Sequence, residues 1–205
     1  MLSIFASTFV SLKAQNNIYW NDISSANIQS SGEIVIVPEK YRTLTLNISE
    51  VRNLLFSAPE EKNVLAGNSN TILYLPLPYG GYGRFKIVDS PVMEKGLADK
   101  YPEIRTFAGQ GIDDPYASVR LDITPAGFHA MIMTASDMIF IDPYAKGDTY
   151  NYISYYKRDY TLKNNEFNCE VIENENLNKQ IPKRTSPLAE GELRTYRIAI
   201  GATGE

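Results

Sequence analysis

Between residues 104 and 158 the chain alternates short β-forming runs with turn signals. Runs at 104–108, 117–124, 127–134, 138–141 and 150–158 have strand length and are rich in β-branched and aromatic residues. Turn formers stand between them at 111–115 (GIDDP), 125–127 (PAG), 135–137 (ASD) and 143–148. Short strands recurring every roughly 8–12 residues predict an antiparallel sandwich or barrel. Upstream, 71–77 and 83–88 flank PYGGY at 78–82, a hairpin signature with a glycine-containing loop. Residues 34–47 (IVIVPEKYRTLTLN) hold two β-type runs broken at Pro38, which predicts an edge strand or two strands joined by a turn.

Two short helices interrupt this pattern. One is predicted after Ser49 as N-cap, with Val51, Leu54, Leu55 and Ala58 at helical spacing and Pro59 as the stop. The other opens at Ser90-Pro91, carries Met93, Leu97 and Ala98 on its apolar side, and ends at Tyr101-Pro102. From 161 to 192 the sequence turns polar, dominated by Asn, Glu and Lys, as expected of a linker or an extended arm. Residues 193–205 (LRTYRIAIGATGE) alternate again and read as the opening strand of a further domain. The expected fold class is therefore mainly β, a β-rich α+β chain: an antiparallel sandwich or barrel-like domain over 16–160, with two short helices and an extended C-terminal arm.

Composition narrows the function classes. With 43% apolar and 21% charged residues among 205, one domain with a sizeable core is expected. A net charge of −4 gives no basic surface of the kind that phosphate neutralisation needs, so nucleic acid is a poor partner. Residues 1–15 (MLSIFASTFVSLKAQ) form an apolar, small-residue run before Asn16-Asn17, and read as a secretory signal peptide with Ala14 or Gln15 at the cleavage edge. It lacks a basic n-region, so a short N-terminal strand or helix is the other reading. Export to the cell surface or medium is the expectation. No apolar run reaches 18 residues, so no membrane span is expected.

Candidate chemistry is sparse. The single histidine, His129, cannot build a zinc site unless carboxylates or cysteine complete it, and neither H-E-x-x-H nor C-x-x-C occurs. Asp113 and Asp114 sit together in a glycine-containing turn, which fits Asx-turn bonding, calcium binding or an acid/base pair. A hydrolase using Asp113, Asp114 and His129 requires those three groups within a few ångströms of one another. The glycines of Tyr79-Gly-Gly-Tyr-Gly83 lie between two strand-like runs, the wrong context for a phosphate loop. Tyr144, Tyr150, Tyr152, Tyr155, Tyr156 and Tyr160 crowd one stretch, either covering a sheet face or presenting rings to a glycan or surface protein. The only cysteine, Cys169, lies on the polar arm. A thiolate there has either a packing role or an intermolecular or metal-directed one.

The run YPEIRTFAGQGIDDP (101–115), followed by VRLDITPAGFHAM (119–131) and IDPY (141–144), resembles the N-terminal pro-region of secreted reprolysin-like zinc metalloproteases of the Bacteroidetes type. LRTYRIAI (193–200) resembles the first strand of their metzincin catalytic domain. The similarity covers about 41–205. It implies a non-catalytic propeptide that helps its cognate protease domain fold and keeps it latent, with the zinc bound by that domain and no cofactor in this chain. The motif H-E-x-x-H-x-x-G-x-x-H is expected downstream. On this resemblance Cys169 is a candidate cysteine-switch ligand to the protease zinc, although Pro-Lys-x-Cys-Gly is missing, and Lys183-Arg184 a candidate maturation site. The alternative reading is an extracellular β-sandwich binding module that uses its tyrosine-rich 144–160 region.

Overall fold

The computed structural model describes residues 19–30 and 32–160. The signal-like start, the polar arm with Cys169, Lys183 and Arg184, and the strand-like 193–205 lie outside them. Among the described residues nine strands appear in chain order: β1 (Trp20–Asp22), β2 (Arg42–Leu46), β3 (Ile72–Pro76), β4 (Tyr82–Asp89), β5 (Arg105–Gly111), β6 (Ser118–Thr124), β7 (Gly127–Met133), β8 (Met138–Pro143) and β9 (Asn151–Tyr156). Helix α1 (Ile48–Phe56) joins β2 to β3, and α2 (Lys95–Lys100) joins β4 to β5. All pairings are antiparallel, in the order β1-β2-β9-β8-β7-β6-β5-β4-β3. The domain is mainly β and barrel-like, as the strand spacing predicts. No described helix is long and apolar enough to cross a membrane.

Strand parity builds the interior. In β6, Val119, Leu121 and Ile123 are buried in the core, while Arg120 points outward. Phe128, Ala130 and Ile132 of β7 and Ile139 and Ile141 of β8 continue the same inner face. Gly109 of β5 belongs to it by register, opposite Val119 and Ile87. A Cβ there would lie 2.6 Å from Ile87, 2.7 Å from Val119 and 2.9 Å from the Lys86 carbonyl oxygen, so β5 approaches its neighbours as closely as only glycine permits.

The edges of the sheet, β1 and β3, are brought together by side chains. Trp20 is 2% exposed; its Nε1 donates to the Tyr74 carbonyl at 3.0 Å, and its ring meets Phe128 at 5.7 Å and Tyr152 at 5.6 Å edge-on. Arg42 completes the seam. Its Nε and Nη2 hold Asp22 at 2.6 and 2.9 Å, its Nη1 donates to the Leu77 and Gly81 carbonyls at 3.1 and 2.7 Å, and its guanidinium lies 4.8 Å over the Tyr82 ring. Deep inside, Ser154 Oγ donates to the Pro76 carbonyl at 2.8 Å, tying β9 to β3. Among the described residues the barrel thus closes at this seam through side chains rather than a ninth backbone ladder.

Helix α1 plugs one end with Val51 and Leu55, both fully buried. Its N-cap is Asn47, whose Oδ1 accepts from the Glu50 N–H at 3.4 Å, rather than the expected Ser49. Leu46 still belongs to β2, so the chain must turn at the next residue, two positions earlier than helical spacing alone indicates. The second departure concerns 34–37. Among the described residues this β-type run pairs with no strand, and β9, near which its ends are fastened, already has β2 on one side and β8 on the other. It is held outside the barrel instead.

Candidate functional site

The outer face of β5 to β9 carries two lateral rows set by register. One runs Ala108, Arg120, Met131, Phe140, Tyr155; the next runs Thr106, Asp122, His129, then Asp142 and Ile153. An apolar row therefore lies beside a titratable one. Between β5 and β8 they bound a groove of about 560 Å³, with Val92, Phe107, Met131 and Phe140 among its apolar walls and Arg120, Asp122, His129 and Asp142 among its polar ones.

His129 faces Asp122 across β6 and β7, with Nδ1 3.0 Å from Asp122 Oδ1. That hydrogen bond, aided by the charges of Asp122 and Asp142, raises the imidazole pKa above its usual value against the opposing effect of burial. Asp142 is more deeply set, and burial pushes its carboxyl pKa up. The Tyr155 hydroxyl donates to Asp142 Oδ2 at 2.8 Å, and desolvation, first, and the adjoining carboxylate, second, push the phenol well up. Tyr155 is fixed by stacking on Phe140 at 5.7 Å and by an edge contact with Tyr160 at 6.0 Å. At the far side of the groove, Arg120 Nη1 donates to Ser90 Oγ at 3.1 Å, and Ser90 Oγ donates to Glu61.

This arrangement can hold a proton on His129 through its bond to Asp122, with the Asp142 carboxyl acting on the imidazole by charge. It does not assemble a nucleophile with a base, since the hydrogen bond of His129 goes to Asp122 and that of Ser90 to Glu61. No group of three or more His, Cys, Asp or Glu among the described residues is placed to hold a metal ion.

The residues singled out in the sequence are dispersed. Asp113 holds Arg84 through a fork at 2.6 and 2.9 Å, which lowers its pKa, and also accepts from the Arg84 N–H at 2.9 Å. Asp114 Oδ1 accepts from the Tyr116 N–H at 2.9 Å, the Asx turn its position predicts. Both acids precede β6, whereas Asp122 and His129 lie near its other end, so a shared hydrolytic site of Asp113, Asp114 and His129 is not formed. The tyrosines divide by parity as well. Tyr152 is wholly buried, its hydroxyl accepting from the Phe128 N–H at 3.2 Å and donating to the Thr149 carbonyl at 3.3 Å, while Tyr155 faces outward. Tyr156 meets Tyr79 at 5.0 Å beyond the end of the strand. Tyr152 and Tyr155 therefore lie on opposite faces of the sheet. The Asp122, His129 and Asp142 row escaped the sequence reading because its members are brought together only by cross-strand register.

No protein-family model, curated protein or solved structure matches this chain.

Proposed function

We propose that this chain is the pro-region of a secreted reprolysin-like zinc metalloprotease, a non-catalytic domain that assists folding of its protease and keeps it latent. The observation that carries the reading is where the family-like sequence falls. The runs 101–115, 119–131 and 141–144 fall on β5 to β8 and supply every wall of the outer groove except Ser90, Val92 and Phe140. A set of runs that builds one exposed, half-apolar surface suits a domain whose work is contact with a partner rather than chemistry. The scattered Asp113, Asp114 and His129 agree with that, each having a local structural partner.

Under this reading the zinc belongs to the protease domain, and the chain's contribution to it is one thiolate, Cys169, filling the open coordination position and excluding the catalytic water. Lys183-Arg184 is the cleavage point that ends latency. The test uses the precursor. Cys169→Ala should release peptidase activity from the uncleaved full-length protein, and the wild-type chain added to the mature protease should inhibit it with Kd in the micromolar range or tighter. Unchanged latency removes the cysteine from the mechanism; absence of both inhibition and any effect on refolding removes the whole reading.

A further inference from the structure

Residues 34–37, Ile-Val-Ile-Val, have the strongest β-forming composition in the chain's first quarter, yet no backbone N–H or C=O of theirs has a hydrogen-bond partner among the described residues. The run is nevertheless fixed at both ends. The Glu33 carbonyl accepts from the Lys146 N–H at 2.9 Å, in the loop before β9, and the Glu39 N–H donates to the Asp159 carbonyl at 2.7 Å, just after β9. Gly32 tightens the first anchor, because a Cβ there would strike the Lys146 carbonyl oxygen. Six steps join Glu33 to Glu39, which gives the run a reach of at most about 21 Å between its two anchors.

Val35 and Ile36 both line a small hollow with His129, Asp142, Pro143 and Ala145, and Val35 and Val37 are still 61% and 62% exposed. An anchored, exposed, apolar run of β-forming residues with open backbone groups is a template for another strand, and native proteins normally cover or blunt such edges. We propose that residues 34–37 are a docking strand that captures an extended segment of another polypeptide, of alternating apolar residues flanked by basic ones.

The basic flanks follow from charge. Glu33 and Glu39 bracket the run, are exposed and have no ion-pair partner among the described residues. The same two acids argue against a second copy of this chain. Opposed residues of an antiparallel pair alternate in hydrogen bonding, so a two-fold axis must pass through a residue that faces itself. The axis that pairs the whole run passes through Ile36 and sets Glu33 against Glu39 at both ends, a destabilising like-charge contact.

The inference is independent of the pro-region reading, since it rests only on this run. A labelled synthetic peptide of about ten residues, alternating valine and threonine with arginine at each end, is titrated against the full chain by fluorescence polarisation. Saturable binding with Kd on the order of tens of micromolar is expected. Glu33→Lys with Glu39→Lys should weaken it at least ~10-fold, and N-methylation of the peptide backbone should abolish it without touching the protein. Lack of saturation up to about 1 mM, or full binding by the N-methylated peptide, overturns the proposal. So does a dimer of the chain alone, seen by sedimentation, that Val35→Lys dissolves.

Discussion

The inner and outer faces of β6 to β9 are made of neighbouring residues and have opposite chemistry. Inside, Val119, Leu121, Ile123, Phe128, Ile132 and Tyr152 pack with the polar atoms of Tyr152 and Ser154 fully committed to backbone partners. Outside, His129 is hydrogen-bonded to Asp122 and Tyr155 to Asp142, and the pKa values of His129 and Asp142 are both raised. The inner face therefore sets stability through volume and close packing, whereas the outer face is free to vary its charge with little cost to the core. That separation lets a barrel carry titratable groups on strands that also hold its interior together.

The comparison breaks first at Trp20. It seals the seam between the edge strands and touches Phe128 and Tyr152, so Trp20→Ala should cost about 3–5 kcal/mol, measured by urea unfolding with circular dichroism. An effect below about 1 kcal/mol would mean that the barrel does not depend on that closure. Gly109→Ala comes next. Its Cβ meets Ile87, Val119 and the Lys86 backbone, and overpacking of this kind should cost about 1–3 kcal/mol in the same assay.

The outer face should respond to pH instead. Because the His129 pKa is raised in the folded state, the Asp122 contact adds stability that is complete below the unfolded value of 6.5 and lost as pH rises through the folded one. Asp142, also raised, acts in the same sense: the folded chain favours its protonated form, and that advantage is lost as pH rises above 3.8. Unfolding midpoints should accordingly fall between about pH 6 and 8 in the wild-type chain, and His129→Gln should flatten that slope, while the acid side is set by the lowered pKa values of Asp22 and Asp113 against the raised one of Asp142. A slope that survives His129→Gln would assign the pH response to other groups.

Much of the fold is readable before any coordinates are seen. The runs at 104–108, 117–124, 127–134, 138–141 and 150–158 coincide with β5 to β9 within a few residues, because alternation and turn chemistry act locally. The hairpin over PYGGY forms as expected, with Gly80 and Gly81 at φ 107° and 74°, conformations open to glycine and strained for other residues. By contrast β1, three residues long, has no period to read, and its importance lies wholly in what Trp20 touches. Residues 34–37 err in the other direction, since their strand-like composition finds no strand to pair with.

The candidate site shows the same division more sharply. That Asp122 and His129 both face outward follows from parity along β6 and β7. That they face each other, with Asp142 beside them and Tyr155 on Asp142, follows from the registers of three separate strand pairs. The strands, their turns and which residues of each strand share a face are legible in the order of the amino acids, since they depend on contacts a few residues apart. That β1 and β3 meet at Trp20, that Tyr152 and Tyr155 part company, and that Ile34 to Val37 lie pinned but, among the described residues, unpaired is not, since each depends on residues distant in the chain and brought together only when the barrel closes.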